Sequence, residues 1–504
     1  MYKVHSKVSS PRPTDATDGL ELYGGSLALL TDLYQLTMAC GYWQAGTSEH
    51  EAVFHLTFRK PPFDGGYAIA AGLAPALAFV QRLRFTDDDL AYLATLTDAT
   101  RAPLFPPEFL AYLGAMRFSC TIDAVPEGTL VFPHEPIVRV RGPIVQAQLV
   151  ETALLTIINF QTLIATKASR VVQSAKGAPV IEFGLRRAHG IDGGLAASRA
   201  AYIGGCAGTS NTLAGKQFGI PVRGTHAHSW VMLYGDELEA FRAYADALPG
   251  NCTFLVDTYD SLQGVRHAIE VGKELRAKGY ALAGIRLDSG DLAHLSIEAR
   301  AMLDAEGFPD AKIVASNDLD ELLIASLLEQ GARIDVFGVG TKLVTAFDQP
   351  ALGGIYKLGA TRAPNATAWR DTIKLSEQPS KISNPGILQV RRLRKDDELA
   401  GDVIYDEEAG FAGPAIHDIE HPSFPPFTPA FETGEDLLVT MLRDGQPVAP
   451  AESLETMRAR AARELELLSP RTRRFLNPEP YRVGLDANLH VRKQALVRAA
   501  RERR

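Results

Sequence analysis

The sequence is short of cysteine and of long apolar runs. Its 504 residues include four cysteines that are scattered and form no CxxC pair. This argues against a disulfide-rich secreted fold and against a structural zinc site, and it favours a reducing compartment. The longest largely apolar run, at 67–80, has about half the length of a membrane span and contains a proline. We therefore expect a cytoplasmic protein without a membrane anchor and a buried helix at 67–80.

Positive charge is also not in excess, because the formal net charge is -8. A net acidic molecule gives no reason to expect nucleic acid or an anionic membrane as a partner. The basic end of the chain, VRKQALVRAARERR, is interpreted as a solvated helix end. Any anionic ligand must therefore meet positive charge that is grouped locally.

The sequence is long and apolar enough for two or three globular domains, since it has 504 residues of which 46% are hydrophobic. Its middle part alternates short apolar strands with amphipathic helices, which predicts an α/β parallel sheet or barrel. The part before it mixes helices with β-rich segments and predicts an α+β domain. The predicted organisation has four parts. A loose N-terminal arm at 1–26 is followed by an N-terminal α+β domain at 27–178. An α/β barrel with the active site at 179–360 is followed by a C-terminal extension at 361–504, which is partly packed on the N-terminal domain.

Each predicted strand of the middle part ends in polar residues that a core strand does not need. In a (β/α) barrel the carboxyl ends of the strands form the active-site rim, so these groups are predicted to converge on one site. Some of them also suit helix capping, and Asp320, Ser261 and Ser296 are candidate caps. The groups are Arg186 and Arg187 after VIEFG, Asp257 and Asp260 after FLV, RLDSGD after AGI, SND after KIVA, and GVGTK after IDVF.

Two of these groups suit a phosphorylated sugar. In GVGT at 338–341, the glycines allow backbone N–H groups to approach a phosphate while the threonine supplies a hydroxyl. RLDSGD at 286–291 places a cation, carboxylates and a hydroxyl within six residues, which suits a pyrophosphate, its Mg²⁺ and a ribose diol. Each segment alone is a weak signal, but the pair indicates a phosphorylated sugar.

The segment GTHAHSW at 224–230 holds two histidines two residues apart. On an extended strand His226 and His228 would point to the same face, which suits a metal ion. Only one of them needs to be reactive for proton or phosphoryl transfer. From these residues alone the segment fits a metal pair, a general base, a nucleophile or an ordinary strand.

Taken together, the motifs resemble those of nicotinate phosphoribosyltransferases, in the same order and nearly the same wording. The resemblance covers most of residues 28–390. The motifs are TDLYQLTMACGYW, EFGLRRAHGIDGGLAASRAAYIGGCAGTSNTLAG, GTHAHSW, FLVDTYDS, IRLDSGD, SND, GVGTK and KLSEQPSKISNPG.

This resemblance implies a split N-terminal α+β domain on an irregular seven-stranded α/β barrel. It implies that nicotinate, phosphoribosyl pyrophosphate, ATP and water give nicotinate mononucleotide, pyrophosphate, ADP and phosphate, with Mg²⁺ as cofactor and ATP as co-substrate. This is the first step of NAD salvage from nicotinate. It also implies a cytoplasmic homodimer in which an N-terminal segment of one subunit completes the partner's active site.

The resemblance also assigns roles to single residues. His228 matches the family's phosphorylated histidine, and a neutral imidazole nitrogen is a suitable nucleophile for a phosphoryl group. His226 falls at a variable position of the motif and is expected to have no chemistry. Phe183 and Tyr34 match aromatic residues that stack on the two faces of the pyridine ring, with Tyr34 coming from the partner subunit.

The remaining matched positions surround the ligands. Thr225 and Arg286 match residues that address the nicotinate carboxylate, and Arg186 is a second candidate for carboxylate or phosphate. Asp257 and Asp288 are expected to hold ribose hydroxyls and Mg²⁺. The residues expected around the phosphates are Ser289, Asn317, Gly338, Gly340 and Thr341.

Three alternatives to this function differ in specific features. A nicotinamide-specific relative carries an aspartate where this chain has Ser210, and a carboxylate there would repel nicotinate. Quinolinate enzymes are shorter and lack the ATP-linked histidine. A catalytically silent sensor of NAD precursors would not need His228, Asp257, Arg286 and Asp288, all of which are present.

Overall fold

The computed structural model describes residues 26–502. Residues 1–25 of the predicted loose arm and the last two residues of the basic tail lie outside the described residues. Within residues 26–502 no helix is long and apolar enough to cross a membrane.

The first part of the described chain forms six helices and five strands. Several helices start at residues that satisfy free backbone N–H groups, as in α3, where Thr86 and Asp89 form a reciprocal capping box. The elements are α1 Leu33–Gln44, β1 Glu51–Thr57, β2 Ala68–Ile69, α2 Leu73–Arg82, α3 Asp87–Ala94, α4 Pro107–Ala115, β3 Thr121–Ala124, β4 Leu130–Val131, β5 Val138–Pro143, α5 Ile144–Leu149 and α6 Glu151–Ser174.

The middle part alternates strands and helices, with two additional helices between the second and third strands. Its elements are β6 Val180–Glu182, α7 Ile191–Ile203, β7 Gly208–Thr209, α8 Thr212–Phe218, α9 His228–Tyr234, α10 Glu237–Ala247, β8 Thr253–Leu255, α11 Ser261–Ala277, β9 Gly284–Leu287, α12 Leu292–Ala305, β10 Lys312–Ala315, α13 Glu321–Glu329, β11 Val336–Val339 and α14 Thr341–Val344.

The last part is rich in strands and ends in two helices. Its elements are β12 Ile355–Arg362, β13 Arg370–Asp371, β14 Leu388–Lys395, β15 Glu398–Asp406, β16 Thr433–Asp436, β17 Val439–Arg443, β18 Gln446–Pro447, α15 Leu454–Leu467, β19 Val483–Leu485 and α16 Ala487–Glu502.

The middle strands form one parallel sheet of order β7-β6-β11-β10-β9-β8. An isolated parallel bridge between Thr209 and Val222 extends the row beyond β7. In this row, from Val222 to β8, neighbouring strands are also consecutive in the chain. The exception is β6, the first strand of the middle part, which lies next to β11, the last one. No backbone pairing joins the Val222 segment to β8 among the described residues. Instead, the Leu255 N–H of β8 donates to Nε2 of His226 at 3.2 Å.

The second large sheet is antiparallel and has the order β13-β12-β1-β5-β3-β17-β18. Its central strands come from the N-terminal domain, but β12, β13, β17 and β18 come from the last part of the chain. Phe54 of β1 stacks on Tyr356 of β12 with ring centroids 4.9 Å apart, and the Tyr356 hydroxyl donates to the Ala147 carbonyl at 2.7 Å. The predicted boundary between residues 360 and 361 therefore falls inside β12.

Three local expectations differ from the structure. The buried helix predicted at 67–80 begins only at Leu73, because Ala68–Ile69 pairs with Leu130–Val131 as a short strand. The other two differences concern candidate helix caps.

Of the three candidate caps, Asp320 caps α13 as predicted, by accepting from the Leu323 N–H at 2.7 Å. The other two candidate caps are wrong. Ser261 is the first residue of α11, and Asp260 before it accepts from the Gln263 N–H at 2.8 Å. Ser296 lies inside α12, where it is buried and donates to the Ala293 carbonyl at 2.9 Å. In both helices an aspartate at the true cap position satisfies the free N–H groups.

Candidate functional site

The carboxyl ends of the parallel strands bring several polar residues together around the guanidinium of Arg286. This side chain projects from β9 and donates from Nε to Ser316 Oγ at 2.8 Å. Its Nη1 donates to Thr225 Oγ1 at 3.2 Å, and its Nη2 donates to Asp288 Oδ1 at 2.8 Å. Ser316 also donates to Asp288 Oδ1. Arg286 is thus fixed on three sides by residues from three separate segments of the chain.

Asp257, after β8, lies beside Asp288. Its Oδ2 accepts from the Asp288 N–H at 2.9 Å and from Ser289 Oγ at 2.6 Å. Its Oδ1 is buried and has no hydrogen-bond partner within residues 26–502. A buried carboxylate oxygen without a partner is unfavourable unless a ligand completes it. This atom is therefore available for a cation or a hydroxyl of a bound ligand.

His228 faces this cluster and is accessible, with 41% of its side chain exposed. Its Nδ1 lies 3.1 Å from Thr258 Oγ1, and its Nε2 lies 3.9 Å from Asp288 Oδ2. Each ring nitrogen thus has a nearby polar group, while the exposed ring remains open to solvent. The arrangement suits a histidine that reacts with a ligand from solution.

His226 has a different environment. It is 8% exposed and its ring contacts those of Tyr244, Phe241 and Phe254. Because its Nε2 accepts from the Leu255 N–H, we assign the ring proton to Nδ1. Burial is the main reason that the pKa of His226 is lowered to about 4. Its position is that of a neutral structural histidine.

The geometry that would place both histidines on one face of a strand is therefore wrong for this pair. His226 lies in a segment without regular secondary structure, Ala227 is the N-cap of α9, and the helix begins at His228. Across residues 26–502 no group of three or more His, Cys, Asp and Glu side chains is arranged to hold a metal ion by itself.

Phe183, directly after β6, also lies beside Arg286. The Arg286 Cζ is 5.4 Å from the centroid of the Phe183 ring, within range of a cation–π contact. The Phe183 N–H donates to the Val339 carbonyl at 2.8 Å, which joins this residue to the GVGT segment. A Cβ on Gly338 would lie 2.6 Å from the ring. Gly338 therefore leaves room for Phe183, a role that the sequence did not indicate.

The other predicted phosphate residues follow the carboxyl ends of β9, β10 and β11. Gly340 is the N-cap of α14, Thr341 is its first residue, and Ser289 is tied to Asp257. Asn317, after β10, is exposed and has a φ of 110°, a conformation that few non-glycine residues adopt. Ser210, after β7, is partly buried, and its N–H donates to the Glu182 carbonyl at 2.9 Å.

Two predicted site residues are not held in the cluster. Arg186 is exposed in a 3₁₀ turn and forms no ion pair with a described residue. Tyr34 lies on α1 of the N-terminal domain with an exposed fraction of 49%, near Glu151 and Thr152. Partial burial, followed by the charge of Glu151, raises the pKa of its phenol.

Three residues of the site were not singled out from the sequence. Thr258 and Ser316 lie inside quoted motifs, FLVDTYDS and SND, so their neighbours carried a signal that could have included them. Glu182 is the first residue of the quoted motif EFGLRRAHG…, but there it reads as an ordinary strand residue. Its importance is visible only through its buried hydrogen bonds to segments that are distant in sequence.

The segment KLSEQPSKISNPG lines a small basic cavity together with residues of β1 and β12. The cavity has a volume of about 40 Å³ and is lined by Arg59, Lys357, Lys381 and Asn384 among others. Burial, together with the positive charges of Lys374 and Arg59, lowers the pKa of Lys357. Positive charge is thus grouped here, apart from the strand-end cluster.

Comparison with known proteins shows the family of the chain. Models of the nicotinate phosphoribosyltransferase N-terminal domain, family and C-terminal domain match residues 29–159, 179–363 and 389–493. The nicotinate phosphoribosyltransferase of Bacillus subtilis is 49% identical over 388 residues, which cover 76% of this chain and 77% of that protein. The chain belongs to the nicotinate phosphoribosyltransferase family. Its named relatives are enzymes of this kind, and so is this chain.

The similarity extends to animals and to solved structures. The human nicotinate phosphoribosyltransferase is 36% identical over 528 residues, which cover 93% of this chain and 96% of that one. The crystal structure titled human nicotinic acid phosphoribosyltransferase superposes with a TM-score of 0.79 at 32% identity, covering 92% of this chain and 99% of that chain. A nicotinate-nucleotide pyrophosphorylase from Pyrococcus furiosus, with a TM-score of 0.64 at 20% identity over 87% and 95% of the two chains, shares the fold.

Proposed function

We propose that this chain is an ATP-coupled nicotinate phosphoribosyltransferase. It would join nicotinate to phosphoribosyl pyrophosphate to give nicotinate mononucleotide and pyrophosphate, with ATP hydrolysis linked to the transfer. Besides the family membership, one observation carries the proposal. A single guanidinium, two carboxylates and an accessible histidine meet within hydrogen-bond or near-contact distance at the ends of the parallel strands.

The nicotinate ring would lie against Phe183, with its carboxylate at Arg286 and Thr225. A planar guanidinium suits a carboxylate because it can donate two parallel hydrogen bonds. The cation–π contact with Phe183 places the Arg286 charge beside the aromatic surface on which a ring can stack. The pyridine nitrogen already carries a lone pair, so no base is needed to activate it. The protein must position it behind the anomeric carbon of the ribose.

Mg²⁺ would be held by Asp257 and Asp288, and the residues present fit it. The partnerless buried oxygen of Asp257 is a hard anionic donor, as Mg²⁺ prefers, and Mg²⁺ in such sites usually takes its other ligands from substrate phosphates and water. When bound, Mg²⁺ neutralises charge on the departing pyrophosphate. Asp257 and Asp288 would also accept from ribose hydroxyls, while Ser289, Asn317, Gly338, Gly340 and Thr341 would surround the phosphates. Arg186 would add a cation at the rim.

His228 would accept the phosphoryl group of ATP. One neutral ring nitrogen attacks the γ-phosphorus, a nitrogen–phosphorus bond forms, and the bond from phosphorus to the ADP oxygen breaks. Water later hydrolyses the phosphohistidine to release phosphate. A phosphoryl group adds close to two negative charges beside Asp288. We infer that this change alters substrate affinity and that His228 does not itself make the glycosidic bond.

The parallel sheet is proposed to close into an irregular seven-stranded barrel. The cyclic strand order, the bridge at Val222 and the hydrogen bond from Leu255 to His226 support this closure. In such a barrel the carboxyl ends of all strands face one opening, which is where the polar cluster lies.

A homodimer with shared active sites is proposed from the surface of the N-terminal domain. Leu30, Leu33, Tyr34 and Met38 form an exposed apolar stripe along and just before α1, with exposed fractions of 38% to 51%. A contiguous exposed apolar surface suits a protein interface. Tyr34 would supply the second face for the nicotinate ring of the partner subunit. The four described cysteines are free, in keeping with a cytoplasmic location, which we also propose.

Substrate choice is proposed to depend on Ser210. A neutral serine can donate to the nicotinate carboxylate, whereas an aspartate would repel it. The purified protein should therefore use nicotinate far better than nicotinamide, and Ser210→Asp should weaken the use of nicotinate.

A paired assay tests the proposed function. Formation of mononucleotide from nicotinate and from nicotinamide is followed with phosphoribosyl pyrophosphate and Mg²⁺, with and without ATP. We expect nicotinate turnover that ATP stimulates. Equal or better turnover of nicotinamide by the wild type would contradict the assignment.

A further inference from the structure

Glu182 is a buried carboxylate to which the reaction described above gives no role. It is the last residue of β6 and is 1% exposed. It forms no ion pair with a described residue. An ionised carboxylate in this position must be stabilised by hydrogen bonds, because burial without a counter-charge is otherwise costly.

Three donors supply this stabilisation, and they belong to three segments. Oε1 accepts from the Gly184 N–H. Oε2 accepts from Ser198 Oγ of α7 at 2.8 Å and from Thr209 Oγ1 of β7 at 2.6 Å. Hydrogen bonds to an ionised acceptor are stronger than those between neutral groups. Glu182 therefore joins the turn after β6, the end of β7 and the helix behind them.

The segments that Glu182 joins carry two residues assigned to the nicotinate ring. Phe183 stands between Glu182 and Gly184, both of which take part in the carboxylate interaction. Ser210 follows Thr209 directly, and its N–H donates to the Glu182 backbone carbonyl at 2.9 Å. The distance between Phe183 and Ser210 thus depends on one residue that contacts both turns.

The hydrogen bonds around Glu182 also fix Asn211, the residue that follows Ser210 in the chain. The Asn211 N–H donates to Thr209 Oγ1 at 3.0 Å, and Asn211 Nδ2 donates to Ser198 Oγ at 3.2 Å. Asn211 Oδ1 in turn accepts from the Leu213 N–H at 3.1 Å, as the N-cap of α8. Ser210 is therefore held from both sides by residues that contact Glu182 or its hydroxyl partners.

We propose that Glu182 is a positioning residue that sets nicotinate affinity and the choice of nicotinate over nicotinamide. It acts by fixing the Phe183 and Ser210 turns relative to each other, without touching the substrate. This proposal rests on the proposed function, since it names the residue that orients the same ring site.

Glu182→Gln is the variant that tests it. Glutamine keeps the size of the side chain and one oxygen for the Gly184 N–H, but its amide group replaces an acceptor with a donor. Val180→Ala is the matched control, because Val180 lies two residues earlier on the same strand, faces the same side and is equally buried. Loss of its methyl groups weakens the core without changing the carboxylate network.

The expected result is a change confined to the nicotinate ring. We expect Glu182→Gln to raise the KM for nicotinate by about tenfold and to lower the nicotinate preference by a similar factor. The KM for phosphoribosyl pyrophosphate and the phosphorylation of His228 should stay within about twofold of the wild type. Val180→Ala should shift the melting temperature but leave the nicotinate preference unchanged.

Crystal structures of the wild type and of Glu182→Gln provide a readout that does not depend on turnover. Displacement of the Phe183 ring or the Ser210 backbone in the variant supports the positioning role. If the wild type fails to use nicotinate, the proposed function fails whether or not the turns move. If the wild type uses nicotinate and the turns do not move in the variant, the positioning role fails and the proposed function stands. Unchanged turns with an unchanged KM, equal effects on both substrates, or an equal effect of Val180→Ala would each overturn the proposal.

Discussion

In the parallel sheet each of β8, β9 and β10 is followed by polar residues at its carboxyl end and then by a covering helix. The antiparallel sheet instead draws its strands from 51–143 and from 355–447. Parallel strands bring all their carboxyl ends to one edge, so groups from distant segments meet there. Antiparallel strands alternate in direction and give no such edge. The candidate site is therefore formed at the first sheet, while the second joins the N-terminal domain to the last part of the chain.

The largest effect is expected from breaking the centre of the parallel-sheet cluster. Arg286→Ala should lower kcat/KM for nicotinate by about 100- to 1,000-fold, because the carboxylate loses its charged donor and Asp288 loses its ion-pair partner. Steady-state kinetics with nicotinate as the varied substrate measures this change. Arg242→Ala is the control, since Arg242 pairs with Glu270 and Glu274 on the outer helices. A KM and kcat within about twofold of the wild type for Arg286→Ala would contradict the assigned role.

A smaller effect tests whether α1 of the N-terminal domain, which carries Tyr34, completes the strand-end cluster of a second copy of the chain. Tyr34→Ala should lower nicotinate turnover by about 10- to 100-fold through loss of one stacking face. When this variant is mixed with His228→Ala under subunit exchange, ATP-stimulated activity should partly return, because one site of the heterodimer would be intact. Native mass spectrometry verifies the exchange. No recovery in verified heterodimers would argue against Tyr34 acting in the partner's site.

The smallest effect tests whether His226 contributes to stability as a neutral, buried histidine. Burial lowers the pKa of His226 from 6.5 to about 4, so the folded protein keeps it neutral where the unfolded chain binds a proton. Its contribution to stability is complete above pH 6.5 and is lost as the pH falls toward 4. In this window the wild type should lose about 1 kcal/mol per pH unit more than His226→Gln.

Urea unfolding at a series of pH values measures this difference. His226→Gln keeps an oxygen that can accept from the Leu255 N–H, so the variant should fold and retain nicotinate turnover. Equal pH slopes for the two proteins would show that His226 titrates normally in the folded state.

The sequence was most informative where structure is local. β6, β8, β9, β10 and β11 are short apolar runs with polar ends, so their parallel pairing and the convergence of their polar ends could be expected. Asp320 as a cap also follows from its immediate neighbours.

Other features depend on contacts that no local pattern contains. The pairing of β12 with β1 joins residues about 300 positions apart, and such pairing is not determined by either segment alone. The helix that begins at His228 separates it from His226, and this break is not marked by a glycine, a proline or a strong capping side chain. The role of Glu182 depends on Ser198 and Thr209, which approach it only in the folded protein.

Labelling with γ-labelled ATP tests the central claim most directly, namely that the strand-end cluster uses His228 as a phosphoacceptor. The wild type and His226→Gln should both give an acid-labile, base-stable phosphoprotein, because a phosphorus–nitrogen bond breaks readily once its nitrogen is protonated. His228→Ala should give no label and no ATP stimulation, yet it should retain slow ATP-independent transfer. Label that survives His228→Ala and disappears with His226→Gln would contradict the account. Loss of all transfer in a folded His228→Ala protein would instead place this residue in the bond-forming step.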